Sequence, residues 1–219
     1  MSVFSTLTGG VIAMPQPNID TDQIIPARYL LRSRDAGYGE LLFQGGRYDA
    51  QGGVIADHPF NTAQGREARI LVAGANFGCG SAREQAAYAL YDFGIRVIIA
   101  PSYGEIFRLN CTRNGILPAR LPEPAVELLF NWLSAGARHL MSVDLPGRRL
   151  HCEVLDAEFE IPPAYAQRLM SGKDEIDETI ASYGSDISAF ERRRALHLDP
   201  HAGHNGDPGL RSATGRSSR

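Results

Sequence analysis

The 219-residue chain has only three cysteines, Cys79, Cys111 and Cys152. They are odd in number and widely spaced, so they make neither a disulfide framework nor a zinc site. Long apolar runs are missing too. Stretches such as Val97–Pro101 and Leu128–Leu133 fall far short of the roughly 20 residues a membrane span needs. There is no excess of basic charge: 22 Lys and Arg face 25 Asp and Glu, for a net charge of −3. That leaves no basic field for nucleic acid or an acidic membrane. The segment Met1–Val11 lacks a charged stretch followed by an apolar one, so no secretory signal is expected. What is present, 43% hydrophobic and 21% charged side chains, suits a soluble, cytoplasmic, globular protein with a real core.

Residues 200–219 are rich in Gly, Ser and His, with Leu210 as the one large apolar side chain. They cannot bury enough surface to offset the entropy of ordering them, and a disordered tail is expected there. Residues 1–199 read as one compact domain without an internal linker. Gly9–Met14 predicts a short strand that runs into the Asn-, Asp- and Pro-rich loop Pro15–Pro26. Tyr29–Gly53 has no sustained period and reads as an irregular excursion, a kind of segment that is more often functional than decorative.

The middle of the chain is more regular. Arg69–Ala73 is a continuous apolar run suited to a strand covered on both faces. A Gly-rich loop follows, then a helix over Ala82–Phe93 with Gly94 at its C-terminal cap. Arg96–Ala100 predicts the next buried strand, and Tyr103–Arg113 a second helix ending near Gly115. Strand–helix–strand–helix favours a parallel pair with a crossover helix. Pro124–Ala135 predicts a helix with proline in its first turn. His139–Val143, Arg149–Val154 and Ala157–Ile161 suggest a small antiparallel meander. Ala164–Ser171 and Glu175–Ser182 read as short helices, and Ser185 as the cap of a last one reaching Leu196. The fold class is mixed α/β.

The richest chemistry lies in residues 74–84, GANFGCGSARE. Three glycines between a buried strand and a helix let the backbone turn sharply and approach a ligand closely. Free N–H groups at a helix start favour an anion there. Ser81 and Arg83 sit at that start, and the planar guanidinium fork matches a carboxylate bidentately. Ser81-Ala-Arg-Glu84 also satisfies the S-x-x-E capping box, and the two roles are compatible. The glycine spacing is not G-x-G-x-x-G, no acidic residue ends Arg96–Ala100, and the Lys-Ser/Thr of a Walker A loop is missing.

NFGCGSARE at 76–84, NIDTDQIIP at 18–26 and IAPSYGEIF at 99–107 together resemble the small-subunit family of 3-isopropylmalate dehydratase, the detached swivelling domain of the aconitase superfamily. GYGELLF at 37–43, NCTRNGILP at 110–118 and LMSGKDEIDETI at 169–180 extend the resemblance over roughly residues 1–195, in order. The resemblance implies a β/β/α swivelling domain and a hydro-lyase isomerising 2-isopropylmalate and 3-isopropylmalate in leucine biosynthesis. It implies that Ser81 takes and returns the substrate proton as an alkoxide, that Arg83 binds a substrate carboxylate, and that Gly80 belongs to the substrate-binding residues. It places Tyr29, Leu30, Leu31 and Arg32 in the loop that reads the variable group of an alkylmalate. It also implies a [4Fe–4S] cluster carried by a separate large subunit; no C-x-x-C is present here to hold one. Ala82 and Gln85 depart from the more usual GSSREH string. A sister hydro-lyase acting on homoaconitate, citraconate or dimethylmalate therefore stays open, as does an anion-binding module without chemistry of its own.

Other residues are read more plainly. Cys79 is a small packed residue or a reactive thiol at a helix start. Cys111 and Cys152 belong to the core. His58 falls in a loop near the active half. Asn18–Asp22 is either a turn built from side-chain-to-backbone bonds or a border of the substrate cleft that orients arginines there. Arg192–Arg194 reads as a solvated helix face.

Overall fold

A computed structural model describes residues 3–135, 139–173 and 175–198; the expected tail lies outside the described residues. The chain divides into two compact units, Met1–Asp174 and Glu175–Arg219. In the first, the order is β1 (Thr6–Met14), α1 (Thr21–Ile24), α2 (Gln44–Arg47), α3 (Ala63–Glu67), β2 (Ala68–Ala73), α4 (Glu84–Phe93), β3 (Val97–Ala100) and α5 (Glu105–Arg113). Then come β4 (Leu117–Arg120), α6 (Glu123–Leu133), β5 (Leu140–Asp144), β6 (Arg149–His151), β7 (Asp156–Glu158) and α7 (Pro163–Ser171). The second unit contains α8 (Glu175–Leu198).

The seven strands form one sheet in the order β4-β3-β2-β1-β5-β6-β7. β1 to β4 pair in parallel, and β1, β5, β6 and β7 pair antiparallel. The expected parallel strand–helix–strand unit and the expected meander are thus two halves of a single sheet. Just beyond β7, Glu160 exchanges two backbone hydrogen bonds of 3.0 and 2.9 Å with Arg120 of β4. The sheet therefore curls until its two edges meet.

Side chains alternate across the strands. Ile70 and Val72 of β2 and Val97 and Ile99 of β3 enter a core with Val126 and Leu129 of α6 and Leu169 of α7. Leu71, Ala73, Ile98 and Ala100 point the other way, onto Ala86 and Leu90 of α4 and Phe107 and Cys111 of α5. Two covered faces explain why these strands read as unbroken apolar runs. Each fully buried Leu or Ile contributes about 1.5–3 kcal/mol. The excursion between α1 and α3 is held by Arg47, only 5% exposed. Its guanidinium donates to Asn61 Oδ1 at 2.9 Å and the Leu42 carbonyl at 3.1 Å.

Two expectations need correction. α4 begins at Glu84, and its N-cap is Arg83, extended at φ −123° and ψ 109°, with no side-chain cap bond. Ser81 stands too early to reach the orphan amides, so it does not cap the helix. The two short helices expected after residue 174 are one helix of 24 residues, with Ser185 inside it. Gly184 costs about 1 kcal/mol against Ala in a helix, and without a proline nearby that is not enough to break it.

Candidate active site

At the C-terminal ends of β1, β2 and β3, three loops continue the parallel pairing of the strands. Gly78 N–H donates to Ile19 O at 2.7 Å, and Thr21 N–H to Cys79 O at 2.9 Å. On the other side Phe77 N–H donates to Ser102 O at 3.1 Å and Gly104 N–H to Phe77 O at 2.9 Å. The segments NIDTD, NFGCGS and PSYG, far apart in sequence, become neighbours. Asn76 and Asn18 both adopt left-handed backbone, at φ 57° and 59°, which Asn tolerates through its short polar side chain. Asn76 Nδ2 donates to Asn18 Oδ1 at 2.8 Å.

The glycines make this stacking possible. A Cβ at Gly78, where φ is +72°, would lie 2.2 Å from the Phe107 ring, and one at Gly104 would lie 2.3 Å from Gly78 O. Gly80, at φ +90°, then lifts the chain past Asp20. Beyond it the amides of Ser81 and Ala82 have no acceptor among the described residues. Ser81 is exposed, and its hydroxyl takes no partner among the described residues. Its carbonyl accepts from Thr21 Oγ1 at 2.9 Å, which pins the loop to α1.

Arg83 lies over α1, with 13% of its side chain exposed, paired with Asp22, which is 53% exposed. The same Nη1 also approaches the Ile25 carbonyl at 3.4 Å. Asp20 caps α1: its Oδ1 accepts from Gln23 N–H at 2.7 Å while Gln23 Oε1 accepts from Asp20 N–H at 3.0 Å. Asp20 therefore closes a local turn, and Asp22 braces an arginine.

The four residues of the expected specificity loop part company. Tyr29 Oη and the Arg28 guanidinium both donate to Gln44 Oε1. Leu30 packs against the core, and its carbonyl accepts from Gln85 Nε2 at 3.3 Å, which ties the loop to the first turn of α4. Leu31 is fully exposed. Arg32 donates to the Ala36 carbonyl at 3.1 Å. The last turn of α4 holds the excursion through Asp92, which pairs with Arg34 and accepts from Tyr38 N–H at 2.9 Å. Sequence reasoning missed Thr21, Gln44 and Asp92. Only Thr21 carried a signal, standing between two flagged aspartates.

A cavity of about 580 Å³ opens against Asp20 and Asp22 and is lined by neither Ser81 nor Arg83. His58 borders it. Its Nδ1 accepts from Phe60 N–H at 3.3 Å, and burial together with nearby Arg47 holds the imidazole below its ordinary pKa. Cys79 is half-buried, and Cys111 and Cys152 are buried as expected; burial pushes the Cys111 thiol well up. Among the described residues no group of His, Cys, Asp and Glu gathers as a metal set.

The model of the aconitase C-terminal domain family matches residues 1–124. The 3-isopropylmalate dehydratase small subunit of Rhodospirillum centenum is 44% identical over 197 residues, covering 89% of this chain and 96% of its own length. That of Roseobacter denitrificans is 43% identical over 198 residues, covering 89% and 97%. The chain belongs to the 3-isopropylmalate dehydratase small-subunit family. A solved 3-isopropylmalate dehydratase from Methanocaldococcus jannaschii shares the fold at a TM-score of 0.58, with 21% identity, 86% of this chain and 99% of that one covered. The mixed α/β, aconitase-type architecture expected from the family motifs is the one found.

Proposed function

We propose that this chain is the small subunit of a cytoplasmic, two-subunit hydro-lyase that interconverts 2-isopropylmalate and 3-isopropylmalate through the dehydrated maleate, in leucine biosynthesis. Beyond the family itself, one observation carries the reading. An exposed Ser81 hydroxyl, without a partner among the described residues, stands on a loop whose amides are likewise unmatched among them, two residues from a guanidinium braced by Asp22.

Arg83 uses Nη1 for Asp22 and the Ile25 carbonyl, which leaves its Nε and Nη2 edge for a substrate carboxylate, held bidentately. Ser81 takes the proton from the substrate carbon that bears no hydroxyl and returns it to the adjacent carbon. A serine alkoxide needs positive potential close by, and the free amides after Gly80 and the charge on Arg83 supply it. A base so placed contributes on the order of 10²–10⁴ in rate. The cysteines of this chain, two buried and none in a ligand set among the described residues, do not fit an iron–sulfur cluster. A [4Fe–4S] cluster carried by the large subunit would supply the Lewis acid that takes up the departing hydroxyl and returns it to the neighbouring carbon.

Tyr29–Arg32 reads the variable group once the large subunit closes over it, Leu30 and Leu31 suiting an isopropyl substituent. Gln85, a departure from the usual string, touches this loop at Leu30, which favours a sister hydro-lyase as the second reading. Co-expression with the large subunit and an assay of substituted malates separates the two. Highest kcat/KM for isopropylmalate supports the proposal. Preference for homoaconitate, citraconate or dimethylmalate makes the chain a sister enzyme, and no turnover of any malate by the cluster-loaded complex overturns both.

A further inference from the structure

The cavity beside α1 is not explained by the proton-transfer site. Met14, Ile19 and Phe43 give it an apolar lining, while Asp20 and Asp22 supply the ionised groups. Among the described residues each carboxylate has only one oxygen engaged, Asp20 by the Gln23 amide and Asp22 by Arg83. His58, the remaining titratable group of the lining, adds no cation to offset them.

We propose that this cavity seats a segment of the large subunit, an apolar stretch carrying one basic side chain. The inference rests on the two-subunit reading above. Three observations support that occupant. First, Asp22 both lines the cavity and braces Arg83, so a partner that completes the site around Ser81 and Arg83 must cross Asp22 and meet the cavity mouth. Second, the rim beyond His58 is apolar and uncovered. Val54 is 56% and Ile55 39% exposed, and Ile55 O accepts from His58 N–H at 3.2 Å. Neighbouring exposed apolar side chains next to a lined cavity mark an interaction surface, and interface anchors fill such pockets. Third, Asp22 is already paired with Arg83, but Asp20 has no ion-pair partner among the described residues, and an apolar partner alone would leave its charge desolvated and unpaired, so the occupant carries a basic group.

Gly45 offers a clean test. It lines the cavity, lies in α2, and a Cβ added there meets nothing within 4 Å. Gly45→Trp therefore fills the cavity without straining the backbone, and Gly45→Ala is the size control. Gln16→Lys, at an exposed lining position, sets a positive charge against a basic anchor. The full chain and each variant are titrated anaerobically against the cluster-bearing large subunit, with the thermal midpoint of each free chain measured alongside. The expected result is a loss of affinity of about 10- to 100-fold for Gly45→Trp, a smaller loss for Gln16→Lys, none for Gly45→Ala, and unchanged midpoints. Binding by Gly45→Trp and Gln16→Lys as tight as wild type overturns the placement alone. Loss of self-association in Gly45→Trp with large-subunit binding intact assigns the cavity to a second copy and overturns it too. Failure of the wild-type chain to bind the large subunit overturns the functional reading and this placement together.

Discussion

Replacing Gly78 by alanine probes the loop that carries Ser81. Two costs arise together. At φ +72° a non-glycine residue is left-handed, which costs about 1–2 kcal/mol. The new Cβ would also fall 2.2 Å from Phe107, a ring only 2% exposed and stacked edge-on against Phe77 with centroids 5.5 Å apart. The ring has no space to retreat into, and overpacking of this kind costs about 1–3 kcal/mol. Together they remove about 2–5 kcal/mol, a large part of the 5–15 kcal/mol that holds a typical domain. Gly80→Ala is the control. Its φ is +90°, but its Cβ meets nothing nearer than Asp20 Cβ at 3.5 Å, so only the backbone cost of about 1–2 kcal/mol applies. Urea unfolding of the two variants beside wild type measures the difference. Equal losses, or a Gly78→Ala variant within about 0.5 kcal/mol of wild type, would refute the packing of this loop on α5.

Other outcomes follow from the same geometry. Arg83→Lys in the assembled enzyme should raise KM about tenfold or more, because lysine lacks the bidentate fork; Asp22→Asn should raise KM less. Neither should shift stability by more than about 1 kcal/mol, given the exposure of Asp22, and an unchanged KM in both would remove Arg83 from substrate binding. Leu31→Ala should leave the thermal midpoint alone, since Leu31 is fully exposed. It should change the ratio of kcat/KM among alkylmalates by roughly tenfold to a few hundredfold, and equal losses on every substrate would make the loop structural. His58 has its pKa lowered from 6.5 by burial first and Arg47 second. As pH falls through that ordinary value the unfolded chain therefore binds the proton more readily, and stability is lost. Wild type should lose more stability between neutral pH and about pH 5 than His58→Gln; parallel pH profiles would contradict this.

Much of the sheet was legible because its strands are covered on both faces. Leu71 and Ile98 serve one core and Val72 and Ile99 the other, so the apolar runs are unbroken and bounded by Gly and Pro. The meander was legible from its turn residues. The capping box was the misleading signal. Ser81 and Glu84 have the right spacing, but the left-handed turn at Gly80 and the extended Arg83 delay the helix. The box actually formed is Asp20–Gln23, inside a segment read as a turn or a cleft border, not as a helix start. The long helix α8 was split because Gly184 and Ser185 look like punctuation, whereas propensity alone is too weak to end a helix. What no local pattern carries is the tie between Asp22 and Arg83, or that between Thr21 and Ser81. Each spans about sixty residues and exists only because β1 and β2 lie side by side in parallel.

The most direct test of the central claim is Ser81→Ala in the reconstituted two-subunit enzyme, with kcat and thermal midpoint measured on the same preparation. Since Ser81 does not cap α4 and its hydroxyl has no partner among the described residues, the midpoint should stay where it is, within the roughly 0.5 kcal/mol of an exposed substitution. Loss of the base should lower kcat by on the order of 10²–10⁴, with KM little changed because Arg83 still holds the carboxylate. A near-normal kcat would contradict the account and take proton transfer away from this subunit.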